Sequence, residues 1–287
     1  MTALETRTLP KWAVSALFLA PALLLLAVLL GAVVVFAFQA VAPSGAEQAG
    51  VVQAVRDGAL DGFFWAAMGR TVLLSVLGAG LSGLIAVVIA EALVAIGRPV
   101  VTVVTGVLLF SPLVVSMAVR GYGWLLVLDQ VSGVVNWLGN LVLTPPVIAT
   151  ILATAHAMMP LTFFPILTRR KEIQRLHLTA AAQDLGAGPV RVLTRVIAPL
   201  AAPTVLRTGA LAFGLSMGAY GIPAIIGRGR VQVVAELMYQ NLLASDWSSA
   251  FARLVALLAV TAVVVLPAFR LASVLSRRGA VPAGGAG

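Results

Sequence analysis

Runs of eighteen or more apolar residues recur along this chain, and nothing else limits its fold so severely. The first, SALFLAPALLLLAVLLGAVVVFAF, lies within residues 13–39. A bilayer core offers no water to unpaired backbone groups, so runs of this length cross it as helices. The composition agrees: 61% of residues are hydrophobic, 10% are charged and the mean hydropathy is +1.06. A soluble domain of 287 residues needs far more polar surface than that.

The pattern predicts an all-α membrane protein with six spans, at 13–39, 70–96, 100–119, 146–167, 196–225 and 249–273. The first run is too long for a cleaved signal peptide and is kept as a span. Phe63, Phe64 and Trp65 suit an aromatic belt before the second span, and Gly97-Arg98-Pro99 a tight turn into the third. Residues 120–145 are too polar and interrupted for a span, so short surface or re-entrant helices are expected there. Residues 274–287 read as a disordered tail rich in small residues.

Charge orients the spans. With residues 1–12 inside, the cytoplasmic segments hold 12 of the 19 basic residues and four of the ten acids. The outside segments hold six of each, and Arg207 lies within the fifth span. The positive-inside rule then places both termini in the cytoplasm, and the basic excess needs no nucleic acid. The protein is expected in a plasma membrane, as a multi-pass chain.

Most chemistry is excluded by what is missing. The two lysines, Lys11 and Lys171, follow no glycine loop, so phosphate-cradling ATP hydrolysis has no machinery here. There is no cysteine, and His156 and His177 have no HExxH or paired carboxylates around them. His156-Ala-Met-Met-Pro160 reads as packed interior rather than a metal site. Gly214-Leu-Ser216-Met-Gly218 matches a hydrolase elbow in letters only, because it falls inside a span; Gly214 and Gly218 read instead as a close helix contact. No catalytic residue and no resident metal or cofactor is expected.

One cytoplasmic segment, 168–195, is too long and too punctuated for a connector. It reads as three short helices. RRKEIQRLHL is basic and amphipathic, Thr179 caps AAAQDL, Gly186 is a left-handed stop, and Gly188-Pro189 opens VRVLTRVI. The stretch AAAQDLGAGPVRVLTRVIAPLAAP, residues 180–203, resembles the EAA loop of binding-protein-dependent ABC importer permeases. Ala181, Ala182, Asp184, Leu185, Gly186, Ala187, Pro189 and Pro199 fall in register, with Gly188 between them. FFWAAMGRTVLLSVL, SPLVVSMAVRGYGWLLVL and LSMGAYGIPAIIGRGR are similar to the polyamine (spermidine/putrescine) branch of that family. Two positions depart: Ala180 stands where the family has Glu, and Ala198 where it usually has Leu. The missing carboxylate puts a charged contact in doubt.

The resemblance implies a type I importer permease fold, with residues 180–189 docking in a groove of a cytoplasmic ABC ATPase dimer that binds ATP and Mg. It also implies a second permease subunit in a heterodimer, an extracytoplasmic binding protein and a small solute moved by alternating access. Polar and aromatic residues inside spans are costly in lipid and so belong in the interior. Ser111, Ser116, Arg120, Tyr122, Ser216, Met217 and Tyr220 are the candidates for the translocation path, with Trp124 and Tyr122 also able to anchor at the interface. Glu91, near the inner end of the second span, reads as a surface acid. An ion-gradient-driven secondary transporter, for which no buried acid is visible, is the main alternative.

Overall fold

The computed structural model describes residues 61–130 and 145–279, with isolated positions 27, 28, 31, 34, 35 and 133. Apart from those isolated positions, the expected first span, 13–39, lies outside the described residues. Nine helices follow one another in the rest: α1 Gly62–Ile96, α2 Pro99–Val114, α3 Met117–Gln130, α4 Pro145–Arg175, α5 Leu178–Asp184, α6 Pro189–Met217, α7 Gly221–Gly227, α8 Val234–Leu243 and α9 Trp247–Gly279. Among the described residues, α1, α4, α6 and α9 are long and apolar enough to cross a membrane, and α2 with α3 makes a fifth candidate bent by 113°. This is a multi-pass helical membrane protein.

α1 begins earlier than the hydropathy suggested, because Asp61 caps it by accepting from the Phe63 N–H at 2.9 Å. Phe64 is buried in the core, while Phe63 and Trp65 stand exposed on its first turn. Gly97 ends α1 in the left-handed region at φ 66°, and Pro99 opens α2, as the Gly-Arg-Pro turn predicts.

The expected third span, 100–119, is broken. Pro112 leaves the last turn of α2 without one donor, and the helix ends at Val114. Ser116 then starts α3, its carbonyl accepting from the Arg120 N–H at 3.0 Å. The expected fifth span also needs correction: α6 stops at Met217, and Gly221–Gly227 is a separate short helix. Near its start α6 widens into a π turn over Leu193–Ile197, where the Ala198 N–H reaches the Leu193 carbonyl. The widening lies just where the Pro199 ring would collide with the Arg195 carbonyl of a regular helix. α9 runs on to Gly279, past the end expected at 273.

The core sits where α1 lies along α4. Gly78, Ser82, Ala86 and Ala90 are all buried at a spacing of four, a stripe of small residues that lets the backbones close. A Cβ added at Gly78 would come within 2.8 Å of the Thr154 methyl. One step along, the Ser82 and Thr162 hydroxyls pair at 2.8 Å, so neither is left unsatisfied in lipid-like surroundings. A second cluster joins α1 to α6, α8 and α9 through Phe64, Met68, Phe213, Met217, Leu237 and Leu257. Gly214 meets Thr261 and Val265 of α9 at ordinary contact distance, and Gly218 lies past the end of α6 with open space around it. Among the described residues, then, Gly214 meets α9 but Gly218 meets nothing, and the expected paired contact is not seen there.

Candidate functional site

Two regions gather the residues singled out in the sequence. The first is the loop between α4 and α6. The basic stretch expected as its own helix is instead the last turns of α4, which ends at Arg175. Leu176 and His177 then turn the chain, His177 taking the left-handed φ of 54° and serving as the backbone start of α5. Thr179 is not the cap: it falls inside α5, and its hydroxyl oxygen is buried without a partner.

α5 closes with a Schellman motif. The Gly186 N–H donates to the Gln183 carbonyl at 2.8 Å and the Ala187 N–H to the Ala182 carbonyl at 3.0 Å. Gly186 carries φ 80°, a conformation that costs L side chains energy but not glycine. Gly188 is extended, and Pro189 occupies the first turn of α6 with its fixed φ. Ala180, Ala181, Asp184 and Leu185 are exposed, Leu185 at 89%, and α5 buries none of its residues. The loop thus offers a short, stiff, largely unpartnered ridge.

The end of α4 that leads into the ridge is tied to the bundle. Arg170 Nε donates to Glu91 Oε1 of α1 at 2.6 Å, so Glu91 is an ion-pair partner and not the free surface acid its position suggested. The Arg169 Nε–H donates to the Leu200 carbonyl of α6 at 3.1 Å. Both arginines sit just before the end of α4, so the stretch that leads into α5 is held to α1 and α6. Sequence reading could not find these pairs, because 79 and 31 residues separate the partners.

The second region is a cavity of about 360 Å³ at the α2–α3 break, lined by Ser111, Pro112, Val115, Arg120, Gly123, Trp124, Val127 and His156. Arg120 Nη1 donates to the Pro112 carbonyl, 2.6 Å away, which α2 leaves unpaired at its C-terminus. Across the cavity the Trp124 indole N–H donates to His156 Nδ1 at 3.2 Å. Of the path candidates, the fold brings Ser111 and Arg120 here. Ser116 sits at the break, its hydroxyl facing the Val119 N–H at 3.4 Å, and Tyr122 is exposed on α3. Met217 is 1% exposed within the core, and the Ser216 hydroxyl donates to the Ala212 carbonyl inside α6 at 2.7 Å, with no hydrolase elbow. Tyr220 packs against Tyr239, ring centres 4.8 Å apart. Sequence reading missed His156 as a lining residue: Met158 and Met159 of the same motif do pack inward, and only the turn of α4 separates them from it.

The multi-pass helical bundle, with its bent helix pair and its exposed loop between two long spans, is consistent with a membrane permease. The comparisons agree on the kind of protein. The chain is similar to the 2-aminoethylphosphonate transport system permease protein PhnU of Salmonella typhi, 34% identical over 101 residues, which cover 35% of each chain. It is equally similar to that protein in Salmonella typhimurium, 34% over 101 residues and again 35% of each. The spermidine/putrescine transport system permease protein PotB of Haemophilus influenzae matches at 25% over 132 residues, 46% of each chain. The matches thus span a third to a half of the curated relatives' length. No family model matches the chain. The relatives are transport permeases, not enzymes, and the resemblance read from the loop points to the same kind of protein.

Proposed function

We propose that this chain is the membrane-spanning permease subunit of an ATP-driven importer in the bacterial inner membrane. It has six spans of the type I permease fold, with both termini in the cytoplasm. The observation that carries the reading is the loop: a seven-residue helix with defined stops at both ends and none of its residues buried, which follows directly on the end of α4, where Arg170 and Arg169 tie α4 to α1 and α6. A partner that pushes α5 moves those helices as a set. The partner is a cytoplasmic ABC ATPase dimer, which holds ATP and Mg. Its closure drives the permease between inward- and outward-facing states, with a second permease subunit completing the pathway. An extracytoplasmic binding protein delivers the solute. This chain contributes the lever and the passage, and no covalent chemistry.

The solute class is a small organic amine or amino acid-like compound. 2-Aminoethylphosphonate and the polyamines, after which the relatives are named, share a primary amine on a short carbon chain. Affinity purification of the tagged chain from its own membranes tests the function. A stoichiometric ABC ATPase, with hydrolysis stimulated by a loaded binding protein, is the expected result. A chain that purifies without an ATPase and transports on an ion gradient refutes it.

A further inference from the structure

The cavity at the α2–α3 break has a chemical bias that the loop does not explain. Its polar edge is made of donors. Arg120 has five guanidinium N–H groups, and among the described residues one hydrogen bond is made, Nη1 to the Pro112 carbonyl at 2.6 Å. Its Nε is buried without a partner. At His156, Nδ1 is already the acceptor for the Trp124 N–H, so the neutral ring carries its proton on Nε2, as a donor. Ser111 adds a hydroxyl with no partner among the described residues. Among the described residues no acid lines the cavity. Asp129 on the same helix is exposed and lies more than two turns beyond Arg120. The remaining wall is Pro112, Val115, Gly123, Val127 and the Trp124 ring.

We infer that this cavity is an oxyanion site, which takes the phosphonate or carboxylate end of a small solute on Arg120, with His156 and Ser111 completing the donors. A guanidinium matches either group with parallel N–H bonds, whereas an ammonium would meet a fixed positive charge and no acceptor carboxylate. The volume of about 360 Å³ is at the low end for ligand sites and fits a solute of a few carbons. Pro112 and Arg120 also make the site a product of the helix break. The hydrogen bond that caps α2 holds the guanidinium at the cavity mouth, so its direction is fixed before a ligand arrives. This inference rests on the permease reading and narrows its solute class to amines that also carry a phosphonate or carboxylate, which excludes the simple polyamines.

The test uses the full chain in lipid nanodiscs, with whatever subunits co-purify, and saturation-transfer NMR titrations of ethylphosphonate, propionate and ethylenediamine. Saturable binding of the two anions and not of the diamine is expected. The tighter anion identifies the head-group. Arg120→Gln should weaken anion binding about tenfold or more, the loss of a charge-assisted pair. Because that substitution also removes the α2 cap, Ser111→Asp is the second variant. It leaves the cap intact and should reverse the preference toward the diamine. Stronger diamine than anion binding in the wild-type chain, or anion binding unchanged in both variants, overturns the site. ATPase recovery from the same preparation reports separately on the permease reading, so either can fail alone.

Discussion

At the scale of single residues, backbone conformation decides more than side-chain chemistry. Gly186 is held at φ 80° by two hydrogen bonds of the Schellman motif, where a β-branched residue is strained by about 1–3 kcal/mol. Nothing lies within 4 Å of a Cβ built there, so the cost is conformational and not steric. Gly186→Val should leave the chain in the membrane at normal abundance but misdirect the turn into α6. The ratio of co-purified ATPase to permease, compared with wild type, measures that; an unchanged ratio would make the loop a mere connector. Glu236 in α8 shows the opposite dependence on chemistry. Burial pushes its carboxyl above the usual carboxylate range, against a hydrogen bond from the Val233 backbone, and Oε2 is buried with no partner. The folded chain therefore holds a proton that the unfolded chain has already lost. Stability should fall as pH rises from about 4.3, the ordinary glutamate value, through the raised one. Thermal unfolding in detergent across that range should show the decline in wild type and a flatter profile in Glu236→Gln.

Among the helices, the close contact is not where a glycine motif placed it. Gly214 and Gly218 have the spacing, yet Gly218 falls beyond the end of α6, which stops before the Gly218–Tyr220 turn. The contact that closes is Gly78 on Thr154, backed by Ser82 on Thr162. Gly78→Leu should cost about 1–3 kcal/mol by overpacking, read as a lower unfolding midpoint in detergent. Gly218→Ala should be near neutral. A destabilised Gly218→Ala with a stable Gly78→Leu would reverse the assignment of the packing seam. The difference marks what sequence could give. Long apolar runs placed α1, α4, α6 and α9, and glycine and proline chemistry placed both ends of α5's exit turn. The stripe Gly78, Ser82, Ala86, Ala90 was visible as a period of four, but small residues are frequent in membrane helices and only a partner helix singles one stripe out. The α2–α3 break had a local signal in Pro112 and Ser116. Its cavity had none, because Trp124 and His156 come together across 32 residues.

For the whole molecule, charge and connectivity favour one arrangement. α6 crosses once between the α4–α6 loop and the segment that holds Arg228, Glu236 and Asp246. Those two segments therefore face opposite sides. Arg169, Arg170, Lys171, Arg175, Arg191 and Arg195 crowd the first, against two acids, Glu172 and Asp184. The second holds Arg228 and Arg230 against Glu236 and Asp246. In the proposed topology the basic side stays in the cytoplasm, which would put α5 within reach of an ATPase and leave α7 and α8 outside. The structure adds a reason for the outer side to be rigid. The Thr71 hydroxyl accepts from the Val234 N–H at 3.0 Å, and Arg253 Nη1 donates to Asn241 Oδ1 at 2.9 Å, clamping α8 between α1 and α9. In the proposed topology this clamped side would face the binding protein and the α5 ridge the ATPase. The native chain has no cysteine, so single cysteines report without background. Gln183→Cys on α5 and Ala244→Cys after α8 are both exposed. In intact cells an impermeant maleimide should label position 244 and spare 183, and permeabilising the inner membrane should expose 183. Labelling of 183 from outside would invert the molecule and remove the ATPase from its loop.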